Sequence, residues 1–385
     1  MKNFNYHQPT RIVFGKGRIS ETGEIVKEFG TRCLLVTTPA VPATEKQFDK
    51  VKKILHDAGV AVAHFDQVIP NPTTETSAIG AALAREHRAE VIVGLGGGSS
   101  MDAAKAIAVE ATHEGSAWDY LFYKKEPTEK TLPVVSITTT SGTGSQVTQV
   151  SVITNPALRD KSALYHPRCF PEVCIVDPEL MLTVPKQVTA PTGFDVFCHA
   201  FESTIHPGSG AYIDLLAWEA ISIVASTLPH LLENLDDVEA REKMAWADTL
   251  AGLCIASAGV TLPHGMGMAI GGMYPHVAHG ESLAIVYPAC TEFTWEHAKA
   301  QYGKMAKILN PDLSCMDDDG AAAQSREAVD YFLRRIGMSK KLRDFNMPEE
   351  EIETLAKQCM VLPDYKGNPR VTTEEEMLEL VNMSF

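Results

Sequence analysis

Two hydrophobic rhythms divide the chain. In the first half, short β-branched runs alternate with amphipathic stretches, the pattern of a parallel sheet covered by helices. Cys33–Val36 reads as a strand and is followed by a helix over Glu45–Ala58, with Phe48, Val51 and Ile54 on its apolar side and a stop at Gly59. The alternation continues with a strand at Ala61–Phe65, a helix at Thr76–Glu86, and a buried strand at Glu90–Val93 that runs into glycines. Leu132–Ile137 predicts a further strand, and the charged, Pro-containing stretch Tyr120–Lys130 a solvated loop.

From about Pro185 the β-branched runs give way to helical periodicity, over Ala211–Leu232, Asp237–Ser257, Ala321–Ile336, Glu349–Gln358 and Thr373–Asn382. The prolines of the segment 183–193 resist regular structure and mark the boundary. The pattern therefore predicts an α/β N-terminal domain over residues 1–184 and an all-helical domain over 185–385.

Composition narrows the function classes. A chain of 385 residues is long enough for two cores, and 45% hydrophobic with 22% charged residues is an ordinary globular make-up. Lys and Arg number 34 against 49 Asp and Glu, a net charge of −15, and no basic cluster is dense enough to follow a phosphate backbone. Nucleic acid is not an expected partner. The eight cysteines include no CxxC pair, which argues against a zinc knuckle or disulfide framework and fits a reducing cytoplasm. Residues 1–10 are polar, and no stretch approaches the ~18 apolar residues of a membrane span, so neither secretion nor membrane insertion is expected.

Three segments carry candidate chemistry. Gly94–Asp102 sits between a buried strand and an alanine-rich helix predicted over Ala103–Ala111. Its glycines let backbone N–H groups approach a ligand, and a helix N-terminus adds about half a positive charge, the setting for a pyrophosphate. A second loop, Thr138–Ser145, is rich in hydroxyls and suits the other wall of a nucleotide site. In the third segment, Asp195 and His199 lie four residues apart, on one face of a helix. With His264 and His279, each followed by glycine in apolar surroundings, they offer one carboxylate and three imidazoles, a donor set for Fe(II) or Zn(II) with room left for a substrate oxygen.

The order and spacing of these motifs make the sequence resemble the iron-containing (group III) alcohol dehydrogenases, from Phe14-Gly15 nearly to the C-terminus. The resemblance rests on Pro70-Asn71-Pro72-Thr73, on Gly96–Ser99 with Asp102 and Lys105, and on Thr139–Ser145 and Asp177-Pro178. It rests further on Gly193-x-Asp195-x-x-x-His199-Ala-x-Glu202, His264 and His279-Gly280. It implies a dehydroquinate synthase-like architecture with a metal in the cleft between the domains, held by Asp195, His199, His264 and His279. It also implies a pyrophosphate on Gly97, Gly98 and Ser99, a cofactor lined by Thr38, Asn71, Thr138, Thr139 and Lys161, and catalytic parts for His279 and Asp102. The implied reaction is hydride transfer between NAD or NADP and a small primary alcohol or aldehyde, in a cytoplasmic homodimer or larger homo-oligomer.

Three positions depart from the family pattern. Thr38 replaces an aspartate that contacts the adenosine ribose, so a 2′-phosphate meets no repulsion there. Met268 stands where a histidine is frequent and cannot relay a proton, which leaves His276 as a substitute or as a surface residue. Gln146 replaces a glutamate. Met266, Met268 and Met273 read either as an adaptable pocket lining or as core filler. A dehydroquinate-synthase-like cyclase is a rival reading, but residues 259–288 contain no Lys or Arg to bind a phosphorylated acid, so an uncharged substrate is favoured. A non-catalytic structural relative is a second rival, opposed by the four ligand-type residues.

Overall fold

The computed structural model describes residues 3–385. These divide into two units, one of 7–185 with Leu235–Ala245, the other of Lys186–Asn234 and Trp246–Phe385 with the N-terminal stretch ending at Tyr6.

The first unit is built on a sheet of six parallel strands. In chain order it contains β1 (Arg11–Phe14), α1 (Thr22–Lys27), β2 (Arg32–Val36), α2 (Glu45–Asp57), β3 (Ala61–Phe65), α3 (Thr74–His87), β4 (Val91–Gly96), α4 (Gly98–Glu110) and β5 (Val134–Thr138). An antiparallel hairpin of β6 (Val150–Asn155) and β7 (Asp160–Tyr165) follows, and then β8 (Val173–Val176). The sheet order is β1-β8-β5-β4-β2-β3. Residues alternate between faces, as strand geometry demands. Cys33, Leu35, Val91, Val93 and Leu95 pack under α1 and α2, whereas Leu34, Val36, Ile92 and Val134 pack under α3 and α4. The helices after β2 and β4 thus cover opposite faces, which makes the carboxyl ends of these neighbouring strands the switch point where open α/β sheets bind ligands.

Small residues set the distance between α4 and the sheet: a Cβ built at Gly94 would stand 2.9 Å from Ala104 Cβ and 3.2 Å from Met101 Cα. The helix begins at Gly98, five residues before the predicted Ala103, because Gly97 caps it directly at the strand end. The stretch from Tyr120 is also not wholly a solvated loop. Tyr120 and Leu121 lie within a 3₁₀ segment, Ala117–Tyr123, and are buried with Leu164 and Cys169. The β6–β7 hairpin has no counterpart in the predicted elements.

The second unit is helical: α5 (Lys186–Ile205), α6 (Ala211–Leu231), α7 (Val238–Ser257), α8 (Leu262–Met273), α9 (His279–Thr294), α10 (Lys299–Leu309), α11 (Asp318–Ala323), α12 (Ser325–Arg335), α13 (Ile352–Cys359) and α14 (Glu374–Ser384). Residues 235–245 of α7 and its approach group with the first unit, where Arg241 donates to the carbonyls of Leu235 and Val184. The prolines near the boundary do not prevent helix: α5 starts at Lys186 and runs through Pro191. One ladder bond is lost there, but burial of nearly every residue from Thr189 to Ile205 outweighs the roughly 3 kcal/mol cost of an interior proline. The predicted helix over Ala321–Ile336 is two helices, kinked at Gln324 so that Ala321 and Ala322 as well as Ala328, Val329 and Phe332 stay buried. One element qualifies the expectation about membrane spans. By length and composition α6 is apolar enough to cross a membrane, yet Leu228 packs at Gly193 of α5 and the helix carries Asp214 and Glu219.

Candidate metal centre and cofactor loops

The metal-ligand candidates lie on three helices of the second unit. On α5, Phe194, Phe197 and Phe201 pack with Tyr287, Phe332 and Tyr302 on the core side, which leaves Asp195 and His199 on the adjacent face. His264 comes from the first turn of α8, and His279 opens α9. Their atoms converge: the Nε2 atoms of His264, His199 and His279 stand 3.5, 3.6 and 3.9 Å from Asp195 Oδ1. Ligands about 2.1 Å from one tetrahedral centre would be about 3.4 Å apart, so the spacing is that of a coordination shell. Asp195, His199 and His264 form a buried group with ligand atoms within 4.8 Å of one another, and His279, 21% exposed, marks the open side.

Two atoms of this cluster, Asp195 Oδ1 and His264 Nε2, are buried without a hydrogen-bond partner among the described residues. Such atoms are costly unless something coordinates them, and a divalent cation fits the three-nitrogen, one-oxygen set. His264 is oriented from behind. Its Nδ1–H donates to Glu202 Oε1 (2.7 Å), which turns Nε2 toward Asp195, while Glu202 Oε2 accepts from the N–H (2.8 Å) and hydroxyl (3.2 Å) of Thr261. Burial opposes charge on both partners. The facing carboxylates of Glu202 and Asp195 nevertheless raise the His264 pKa to about 10, and the imidazoles of His199, His279 and His264 hold Asp195 well below the usual carboxylate range. A cation arriving here therefore displaces a proton.

The histidine-glycine step at His279 has a packing reason. A Cβ at Gly280 would stand 2.0 Å from the carbonyl oxygen of Pro191, so α9 meets the backbone of α5 directly, one turn before Asp195. Glu202 is the ligand-supporting residue that motif reading left without a role. Its signal was a carboxylate three residues after His199 on the same helix.

The cofactor loops belong to the first unit. Gly97 and Ser99 are partly exposed at the start of α4, where Gly98 and Ser99 supply first-turn N–H groups. Gly98 itself is buried: a Cβ there would lie 2.5 Å from Thr143 Cγ2, so its missing side chain makes room for the hydroxyl loop. Thr139 N–H donates to the Gly96 carbonyl (2.9 Å), which ties the two loops together, and within the hydroxyl loop Thr138 Oγ1 donates to the Thr140 carbonyl (2.8 Å). Gly98→Val is expected to lower the nicotinamide affinity by at least about tenfold, together with Tm, while bound metal stays constant; cofactor titration beside metal analysis checks this.

Lys161 is buried on β7 and donates to Asn71 Oδ1 (2.8 Å), so two residues far apart in sequence are brought together. Thr38 is half-buried just past the end of β2. Asp102 is engaged inside its own unit, with Oδ1 accepting from Ser145 Oγ (2.6 Å) and Oδ2 from the Val152 N–H (3.2 Å). Lys105 is buried beside it and donates to the carbonyls of Ser145, Thr148 and Val150, which anchors α4 to the hydroxyl loop and the hairpin. His276 is an exposed residue on the Phe345 carbonyl (3.0 Å), and Met266 and Met273 are core filler.

Comparison with known proteins agrees with this geometry. The family model described as iron-containing alcohol dehydrogenase matches residues 9–178, and that of the Fe-containing alcohol dehydrogenase C-terminal domain matches residues 189–385. The NAD-dependent methanol dehydrogenase of Bacillus methanolicus is 32% identical, over 98% of each chain. The choline dehydrogenase of Bacillus subtilis strain 168 is 36% identical over 97% of this chain and 94% of its own. An archaeal halo-thermophilic alcohol dehydrogenase from a Red Sea brine pool superposes with a TM-score of 0.95 at 35% identity, covering all of both chains. The chain belongs to the iron-containing alcohol dehydrogenase family.

Proposed function

We propose that this protein transfers hydride between a nicotinamide dinucleotide and a small primary alcohol or aldehyde, with Fe(II) held by Asp195, His199, His264 and His279. The observation that carries this reading is the convergence of three imidazole nitrogens on Asp195 Oδ1, two of the atoms involved being buried and otherwise unsatisfied. Bound there, a divalent cation supplies Lewis acidity toward an alcohol or carbonyl oxygen, and Zn(II) suits the same donors.

The remaining work falls to the chain. Asp195 brings the one anionic donor, and Glu202 keeps His264 in the tautomer that presents Nε2. His279, the most exposed of the four, borders the side from which an alcohol arrives. Gly97, Gly98 and Ser99 present N–H groups to the pyrophosphate, and Thr38, Asn71, Thr138, Thr139 and Lys161 line the rest of the cofactor. Asp102 is a positioning residue in this scheme, because its Oδ1 holds the Ser145 end of the hydroxyl loop and its Oδ2 holds β6 of the hairpin that carries Lys161. Met268 has no proton to give, and His276 is committed to Phe345, so neither serves as a proton relay. The net charge of −15 fits a protein that works away from nucleic acid, and the eight free cysteines fit a reducing cytoplasm.

The test is a metal analysis of purified protein combined with a panel of primary alcohols and aldehydes against NAD(H) and NADP(H). Turnover with iron present supports the reading, and inactivity with every alcohol and aldehyde removes it. Cofactor choice has its own expected outcome. Thr38→Asp should lower kcat/KM for NADPH relative to NADH by about tenfold, or 1.4 kcal/mol, because a carboxylate there repels a 2′-phosphate. An unchanged ratio places the ribose elsewhere.

A further inference from the structure

A carboxylate beside the metal cluster has no part in the scheme so far. Asp364 lies in the 3₁₀ turn Pro363–Gly367, which packs on α8. A Cβ built at Gly265 would stand 3.4 Å from Asp364 Cβ and 3.7 Å from its Oδ2, so the carboxyl group covers the residue that follows His264, and no side chain intervenes.

No other described residue gives Asp364 a hydrogen bond or ion pair, apart from its own backbone N–H. The groups that act on it electrostatically are His264 and Glu202. Lys366, two residues on, carries its ammonium over the Tyr365 ring, Arg370 pairs with Glu376, and residues 259–288 contain no Lys or Arg. A carboxylate that no Lys or Arg pairs offers its charge and its two acceptor oxygens to a ligand that brings a cation.

We propose that Asp364 is a specificity-determining residue, its carboxylate receiving the cationic end of an amino alcohol whose hydroxyl is presented to the Asp195, His199, His264 and His279 cluster. The proposal rests on the alcohol dehydrogenase reading above and sharpens its substrate class. It also replaces the expectation of an uncharged substrate: residues 259–288 bring no Lys or Arg for an anion, whereas Asp364 attracts cations.

The experiment compares 3-amino-1-propanol with 1-butanol, which is similar in size but lacks the charge, on iron-loaded wild type, Asp364→Asn and the smaller Asp364→Ser. The expected result is a preference for the amino alcohol in kcat/KM that falls by at least about tenfold in both variants, with 1-butanol turnover held within about threefold and bound iron unchanged. A ratio that stays constant overturns the proposal. Joint loss of both activities and of iron also overturns it, by making Asp364 a support of the metal cluster. Wild-type turnover of 1-butanol separates the two levels: with it, only the Asp364 assignment is at stake, and without turnover of any alcohol the reaction class and this proposal fall together.

Discussion

Replacing His264 by alanine is expected to strip the protein of its metal and to lower kcat/KM for alcohol oxidation by at least about 10³, more than 4 kcal/mol of transition-state stabilisation. Three effects combine. One of four donors disappears, Glu202 is left as a buried carboxylate without its charged partner, and Asp195 loses the nearest of its three imidazoles. The fold should survive, since the core on this side is made by Leu262, Met266, Ile270 and Met273 against α9, α13 and α14. Far-ultraviolet circular dichroism and metal content, measured on one preparation, separate loss of site from loss of fold. Wild-type turnover in metal-free His264→Ala protein would end the metal hypothesis.

Gly280→Ala is the second large effect. One methyl group would sit 2.0 Å from the Pro191 carbonyl oxygen, and neither partner is a flexible side chain that can swing away. Helices α5 and α9 must separate by more than an ångström, at a cost of about 1–3 kcal/mol. Because Asp195 rides on α5 and His279 on α9, the same movement opens the cluster. The expected result is a Tm lowered by several degrees, weaker metal retention, and kcat/KM reduced at least about tenfold. If Tm and iron affinity are those of the wild type, the contact at Pro191 does not set the spacing of the ligands.

Much of this arrangement was legible because it is written locally. The runs at Cys33–Val36 and Ala61–Phe65 announce strands through continuous β-branched or apolar character, and the four-residue step from Asp195 to His199 predicts a shared helix face. The third and fourth ligand candidates, His264 and His279, were readable from the family motif, whereas their convergence depends on how α8 and α9 pack on α5. What escaped reading is what long-range contact decides. Pro191 is a helix breaker by propensity and a helix residue in fact, because burial along α5 overrides it. Gly98 looked like space kept for a phosphate, yet that space is taken by Thr143, some 45 residues away. Asp364 belongs to no motif at all; only the packing of a short turn against Gly265 brings it beside His264.

The central claim is that the cluster of Asp195, His199, His264 and His279 holds the metal on which alcohol oxidation depends. Its most direct measurement is an anaerobic titration of chelator-treated protein with Fe(II), following the rate of NADH formation from a primary alcohol. The account predicts negligible initial rate, a linear rise that ends at one iron per chain, and no rise in His264→Ala. A full rate before iron is added, or the same recovery in the variant, would contradict it.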